Sequence, residues 1–310
     1  MKNKRGLTMR VSRQRYSTTL RALILATSSL SLRASAADAP PAYPWHLADI
    51  WWTLPSHQRL DTLSIAFDIS NDVPDDVDLY IAPLGLMTVG GANFYGGVQT
   101  RVAGWPSAAE RTLVPLGRGT LFSRWATGKV IDLDYAKGPP GTHFEAGSYE
   151  GNFVSVRSAC RWHAGRYVYA VKREVKGGQS WLAATVQDAR GKSVCTAGLL
   201  RMDGDDAMLA PQLGSFVEVY GSDSVIPTVT ITFDPPSLNG HVVELSSVLV
   251  NYPENGVPQA PRFASVVAAG GRIQMAVAPR PLSDGIRQQT LTFNPVRQAA
   301  LQESILPPVP

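Results

Sequence analysis

Apolar and polar residues alternate along several short segments of this chain, and this two-residue period constrains the fold more than any other feature. The clearest segments are 63–69, 77–81 and 229–233. Such alternation is typical of β-strands that bury one face. A helical period occurs only in the short stretch 296–304. The common nucleotide-binding folds, which alternate strands with long helices, are therefore excluded.

The rest of the chain supports an all-β interpretation. Further strand candidates lie at 120–125, 152–157, 166–175, 181–187, 215–220, 241–250 and 273–278. Turn signals such as Gly90-Gly91, Gly177-Gly178 and Asn239-Gly240 separate them. Many short strands with frequent turns predict an antiparallel β-sandwich or barrel.

The N-terminal segment has the layout of a secretory signal peptide. Residues 1–36 hold eight of the 29 Lys and Arg residues and no acid, with an apolar run at 22–32 that ends in Ala34-Ser35-Ala36. The run is too short to span a bilayer. We expect cleavage before Ala37 or Asp38 and a secreted or periplasmic protein without a stable membrane span. The alternatives are an uncleaved anchor and a disordered basic tail. Cleavage would change the net charge from +4 to −4, which removes the case for a nucleic-acid partner.

Two cysteines, Cys160 and Cys195, fall in the part that would be exported. An even count in an exported chain predicts one disulfide. The alternative is two free buried thiols, because both cysteines follow strand-like stretches.

The composition changes near residue 225. From there prolines punctuate short strands and tryptophan disappears. We predict a β-sandwich domain at 37–224, followed at 225–310 by a Pro-rich C-terminal β extension or a small second β domain.

Aromatic rings stand beside long polar side chains in three strand-like blocks, 94–100, 121–125 and 149–157. Such a face suits a polar, flat-sided ligand. The candidates for ligand binding are Tyr95, Gln99, Arg124, Trp125, Glu150 and Trp162. Each aromatic could instead belong to the core, since aromatic rings dominate sandwich interiors.

The blocks FYGGVQT (94–100), LFSRW (121–125), YEGNF (149–153), WHAGRY (162–167) and SFVEVY (215–220), with Trp181 between the last two, form an ordered series. This series resembles the secreted bacterial family termed domain of unknown function three-four-seven-two, over about residues 90–221. The resemblance implies a concanavalin-like or jelly-roll β-sandwich and a role in glycan handling, without an established activity. The chain departs from the family at Arg124, where an apolar residue is expected.

Two carboxylates are weak catalytic candidates. Glu150 precedes a glycine in a turn, and Glu218 shares a strand face with Phe216 and Tyr220. Glycoside hydrolysis needs two carboxylates at a fixed separation, which this pair could supply. Alternatively, Glu150 forms a structural ion pair with Arg157 or Arg124.

Metal chemistry has little support. No cofactor and no metal site are predicted, although the aspartate clusters at 72–78 and 203–206 could hold calcium rather than simply form solvated turns. The five histidines lack paired ligand spacing, and no Gly-x-Ser-x-Gly nucleophile motif occurs.

Three functions follow from these patterns. The leading one is binding of extracellular or envelope glycan without turnover, with Tyr95 and Trp125 stacking on sugar rings. The second is a glycoside hydrolase or polysaccharide lyase that uses Glu150 and Glu218. The third is a structural or adhesive envelope protein whose aromatic blocks are only core.

Overall fold

The computed structural model describes residues 45–149, 151–220, 225–253, 262–282 and 286–293. Within these ranges, twenty strands form two antiparallel sheets of ten strands each. The prediction of an all-β, two-sheet antiparallel sandwich is confirmed. The predicted signal peptide, the stretch 296–304 and Glu150 lie outside the described residues.

The first half of the chain contributes β1 (Trp45–Thr53), β2 (Gln58–Arg59), β3 (Thr62–Ile69), β4 (Leu79–Val89), β5 (Ala92–Gly104), β6 (Val114–Trp125), β7 (Ala136–Lys137), β8 (His143–Gly147) and β9 (Phe153–Ala159). A single 3-10 turn at Leu133–Tyr135 precedes β7. The second half contributes β10 (Gly165–Lys176), β11 (Gln179–Asp188), β12 (Ser193–Arg201), β13 (Met208–Val219), β14 (Val229–Phe233), β15 (Ser237–Leu238), β16 (His241–Val242), β17 (Ser247–Asn251), β18 (Ala264–Ala269), β19 (Arg272–Val277) and β20 (Gln288–Thr292). No helix among the described residues has the length and apolar character needed to cross a bilayer.

The first sheet has the strand order β20-β17-β1-β13-β4-β5-β6-β9-β8, with β2 paired to β13. The second has the order β18-β19-β14-β3-β10-β11-β12-β7, with β15 paired to β3 and to β16. The segment after residue 225 contributes to both sheets, because β14 pairs with β3 and β17 pairs with β1.

The core lies between the sheets and follows from the alternation in the sequence. On β3, Leu63, Ile65, Phe67 and Ile69 are buried while their neighbours are partly exposed. Burying a side chain of this size contributes about 1.5–3 kcal/mol. One cross-link reaches from β10 of the second sheet into the first, where the buried Tyr169 hydroxyl donates to the carbonyl of Leu121 over 2.7 Å.

The disulfide Cys160–Cys195 is confirmed, with the two Cα atoms 5.5 Å apart. Cys160 directly follows β9 of the first sheet, and Cys195 lies on β12 of the second. The bond therefore joins the two layers of the sandwich. Disulfides persist in oxidising compartments, which is consistent with an extracellular protein.

Removal of this disulfide is expected to destabilise the fold. Closing a loop across a separation of 35 residues stabilises a protein by about 3–4 kcal/mol, mainly by restricting the unfolded chain. The double variant Cys160→Ser/Cys195→Ser should lose that much free energy of unfolding in urea titrations. The unmodified protein under reducing conditions is the matched control and should behave like the variant. Equal stability of the variant and the oxidised protein would contradict the expectation.

Candidate active site

A cleft of about 670 Å³ opens on the face of the first sheet that points away from the core. Strand alternation explains its position: Val217 and Val219 of β13 are buried in the core, whereas Phe216, Glu218 and Tyr220 line the cleft. Its lining comes from β1, β13, β4, β5, β6 and β9, which are consecutive strands of the sheet. The cleft therefore runs across six strands, a span of about 24 Å at the usual strand spacing.

Four polar side chains form one row across this cleft. The strand register places His46 opposite Glu218, Glu218 opposite Tyr80, and Tyr80 opposite Gln99. All four line the cleft. Directly opposed residues project to the same face, and neighbouring strands lie about 4.8 Å apart. The Glu218 carboxylate and the Gln99 amide thus stand on either side of Tyr80, with backbones about 10 Å apart.

Tyr80 lies in the middle of the row and is 2% exposed. Its buried hydroxyl has no hydrogen-bond partner among the described residues. Burial, and to a smaller extent the nearby Tyr95, Tyr169 and Glu218, raise the pKa of this phenol well above 10. Tyr80 therefore stays protonated and keeps a donor for a group that enters the cleft.

His46 occupies the end of the row beside Glu218. Its Nδ1 lies 2.8 Å from Oδ1 of Asp49, and its Nε2 lies 4.0 Å from Oε2 of Glu218. The imidazole stacks on Phe216, with the ring centroids 4.1 Å apart and the planes inclined by 20°. The ring is thus held by one carboxylate and faces the other.

The floor next to the row is apolar. Phe216, Ala82 and Leu121 form a buried cluster with Tyr80. Tyr95 and Trp125, which have ring centroids 4.5 Å apart, pack against each other in the same cleft. This floor suits apolar side chains of a bound molecule.

Arg157 of β9 lines the far side of the cleft. Its guanidinium forms an ion pair with Glu145 and donates to the carbonyl of Ala103 over 2.8 Å. Glu145 also accepts a hydrogen bond from the Tyr149 hydroxyl over 2.8 Å. This side of the cleft is therefore polar, and its contacts with Glu145 and Ala103 hold the Arg157 side chain in place.

Trp162 and two glycines of block 94–100 support the position of Gln99. The buried Trp162 indole donates to the backbone carbonyls of Gln99 and Gly119, over 3.1 and 3.2 Å. A Cβ on Gly96 would lie 2.2 Å from the Tyr169 hydroxyl, so only glycine admits the cross-link between the sheets. A Cβ on Gly97 would lie 2.1 Å from a backbone oxygen of β4. The two glycines hold β5 close to β4 and fix the position of Gln99.

Four predicted site residues lie together in the cleft: Tyr95, Gln99, Trp125 and Glu218. Two others do not. Arg124 and Trp162 are fully buried and do not line the cleft, which corrects their assignment to a ligand-binding surface. For Arg124 the reason is strand alternation, since it adjoins Trp125 and must point to the opposite face.

Arg124 is a core residue despite its charge. Its guanidinium donates to the carbonyl of Arg201 and, over 2.8 Å, to the carboxylate of Asp203. It also lies over the rings of Phe94 and Tyr135, at 5.5 and 4.9 Å from their centroids. A buried charge needs such partners, and Arg124 has them.

The aspartate clusters proposed as calcium ligands are engaged with protein groups. Asp75 pairs with Arg118, Asp203 with Arg124 and Lys129, and Asp205 accepts from Ser180. No group of three or more His, Cys, Asp or Glu side chains in the described part of the chain is arranged to hold a metal ion.

Sequence reasoning missed two residues of the row, His46 and Tyr80, and also Asp49, which contacts His46. Tyr80 lies in an apolar stretch and resembles ordinary core. His46 and Asp49 lie about 170 residues from their partners on β13. The sequence does show two polar residues, His46 and Asp49, at the start of an otherwise apolar strand. Their position beside Glu218 depends on the register between β1 and β13, which the sequence does not show.

Comparisons with solved structures give nine matching chains, among them the following two. Scytalido-glutamic peptidase, determined with a peptide-based transition-state analogue, shows 10% identity and a TM-score of 0.35, over 76% of this chain and 98% of that chain. SCP-B, a member of the eqolisin family of peptidases in complex with the tripeptide Ala-Ile-His, shows 11% identity and a TM-score of 0.33, with the same coverage. These values assign no activity to this chain.

No protein-family model matches the chain. No curated protein matches it either. The resemblance to domain of unknown function three-four-seven-two stays a prediction.

These findings correct the functional expectation. Tyr95 and Trp125, the aromatic rings that were expected to stack on sugars, pack against each other instead. Binding of glycan without turnover is therefore contradicted, and a carbohydrate hydrolase or lyase that uses Glu150 and Glu218 is not supported. Among the aromatic residues of these blocks, Tyr95 and Trp125 line the cleft, whereas Trp162 and Trp181 are buried.

Proposed function

We propose that this protein is a hydrolase that cleaves an amide bond in an extended polypeptide bound across the first sheet. Glu218 would be the general base, and Gln99 and Tyr80 would stabilise the developing oxyanion. The in-register row Glu218–Tyr80–Gln99 carries the proposal. It sets one carboxylate and two neutral hydrogen-bonding groups on one face of a cleft.

The chemistry follows from these groups. Glu218 takes a proton from water, whose oxygen bonds to the carbonyl carbon of the scissile amide. The carbonyl oxygen gains negative charge, which the Gln99 amide and the Tyr80 hydroxyl stabilise by donating hydrogen bonds. The C–N bond then breaks, and Glu218 returns the proton to the leaving nitrogen. Because Glu218 both takes and returns the proton, the reaction needs no second proton donor or acceptor in the cleft.

An amide substrate fits the site better than other substrates. Hydrolysis of a glycosidic bond uses two carboxylates that flank the bond, whereas the group across Tyr80 from Glu218 is the amide of Gln99. An amide side chain cannot exchange protons but can polarise a carbonyl. The apolar floor of Phe216, Ala82 and Leu121 gives side chains of a peptide a place to bind.

Cleavage of unfolded protein substrates tests the proposal directly. Reduced, denatured proteins should be cut by the purified chain between about pH 3 and about pH 8, with products identified by mass spectrometry. Gln99→Ala should lower kcat by about 10²- to 10³-fold, because it removes one donor to the oxyanion. Gln179→Ala, at the exposed first residue of β11 and outside the cleft, is the matched control and should cleave normally.

Absence of cleavage by the unmodified protein across this range would refute the proposed function. Retention of full activity by Gln99→Ala would refute the role given to Gln99. Thermal unfolding of each variant separates lost chemistry from lost folding.

We also infer that the protein is exported by a cleaved N-terminal signal. The basic and apolar pattern of residues 1–36 supports the signal, and the disulfide supports an oxidising destination. Intact-mass measurement of the secreted protein would locate the first residue of the mature chain.

A further inference from the structure

We propose that His46, oriented by Asp49, is a positioning residue that holds Glu218 in its ionised form and so extends the activity of the cleft to lower pH. The inference rests on the proposed function, in which Glu218 must be deprotonated to act as a base. It assigns a role to two residues that the cleft chemistry does not otherwise use.

The geometry arranges the three groups in a chain. Nδ1 of His46 lies 2.8 Å from Asp49, on the same strand, and Nε2 points toward Glu218 at 4.0 Å. Stacking on Phe216 restricts rotation of the ring. The two ring nitrogens are thus directed at two different carboxylates, with Nδ1 at hydrogen-bond distance and Nε2 at ion-pair distance, an arrangement that favours an imidazolium.

Asp49 orients the His46 ring through Nδ1. A carboxylate in this position favours the imidazolium form of the histidine. The opposite charge at 4.0 Å then favours the ionised form of Glu218. Glu218 therefore loses its proton at lower pH in the folded protein than it would without His46.

The other titratable and charged groups at this end of the cleft do not cancel the effect. Arg101 of β5 and Asp78, just before β4, pair with each other at 3.3 Å. Burial raises the pKa of Tyr220 to about 12, and Tyr80 is likewise protonated throughout the working range. Arg157, on the far side of the cleft, pairs with Glu145. When protonated, His46 places a positive charge 4.0 Å from Glu218.

The acid limb of the pH–rate profile should report this coupling. In the unmodified protein the limb follows ionisation of Glu218. With His46→Gln, the limb should move to higher pH by about 1 unit or more, the usual effect of one opposite charge at this distance. His46→Phe keeps the ring that stacks on Phe216 but removes the charge, and should give the same shift.

A titration that does not depend on turnover provides the second readout. The carboxyl carbon of Glu218, followed by NMR with ¹³C-labelled glutamate, should show its midpoint rise by about 1 unit or more in both His46 variants. Asp49→Asn should instead lower the titration midpoint of the His46 ring while leaving the Glu218 midpoint no higher than before. His57→Gln, at an exposed position outside the cleft, is the matched control and should change neither.

The outcomes separate this inference from the proposed function. If the Glu218 midpoint stays the same in both His46 variants, the positioning role is wrong, whatever the activity. If His46→Phe keeps the original midpoint and His46→Gln does not, the ring acts by packing, and the inference is equally overturned. If the unmodified protein cleaves nothing but the midpoint rises as expected, the proposed function fails while the electrostatic coupling stands.

Discussion

Glu218→Gln is expected to lower kcat for peptide cleavage by about 10²- to 10⁴-fold, the usual contribution of a positioned general base. The substitution keeps the size of the side chain and its place opposite Tyr80, but an amide cannot take a proton from water. KM should change little, because the carboxylate acts on the attacking water rather than on the bound chain. Initial rates on an internally quenched peptide, chosen from the cleavage sites found by mass spectrometry, give both constants.

Glu110→Gln is the matched control for this experiment. Glu110 lies in an exposed loop and does not line the cleft, so the same chemical change there should leave kcat unaltered. Both variants should unfold at the temperature of the unmodified protein within a few degrees. If the Glu218→Gln protein is folded and its kcat equals that of the unmodified protein, the proposed mechanism is wrong.

Arg124→Ala is expected to destabilise the fold by about 3–5 kcal/mol, the cost of breaking a buried ion pair by deleting one partner. The guanidinium is fully buried, and the paired Asp203 is 21% exposed. Its deletion would leave the carbonyl of Arg201 without this donor and open a cavity between Phe94 and Tyr135. Urea unfolding at neutral pH measures the difference.

Arg111→Ala provides the comparison, because Arg111 also pairs with an aspartate, Asp132, but both side chains are more than 40% exposed. Exposed pairs contribute about 0–1 kcal/mol. Comparison of Arg124→Ala with Arg111→Ala therefore tests how much burial adds to the contribution of an Arg–Asp pair to stability. A loss below about 1 kcal/mol for Arg124→Ala would contradict the structural role that the core contacts assign to it.

The Arg124–Asp203 pair should make the free energy of unfolding depend on pH in the acid range. Partial burial alone would raise the pKa of Asp203, but hydrogen bonds from Thr127, Arg124 and Lys129 outweigh it and lower the pKa well below its usual value. A carboxylate with a lowered pKa in the folded state stabilises the protein above its unfolded pKa of about 3.9. This stabilisation is lost as the pH falls below that value, so the difference between Arg124→Ala and the unmodified protein should shrink in acid.

The local patterns of the sequence predict the strands well and the site only in part. The alternation at 63–69 appears unchanged as the buried face of β3. The predicted strand 241–250 is instead two strands, because β16 pairs within the second sheet and β17 within the first. The chain crosses between the layers there, which no local period can show.

The site depends on register, and register is a property of pairs of strands. Gln99 and Glu218 were recognised separately, from blocks that lie about 120 residues apart. Their relation became visible only through Tyr80, which pairs with both. Arg124 was misassigned because its side chain has the chemistry of a ligand-binding residue while its strand position points it into the core.

The pairing of β17 with β1 has a consequence for how the cleft is assembled. β1 carries His46 and Asp49, and its free edge is covered by a strand from the last third of the chain, with Asn251 opposite Asp49. Without β17, β1 would be an exposed sheet edge with unpaired backbone groups. Contacts between such distant parts of a chain form late in folding. The strand that carries His46 and Asp49 is therefore completed by residues made about 200 positions later, so a nascent chain would hold Gln99 and Tyr80 before the edge of β1 is covered.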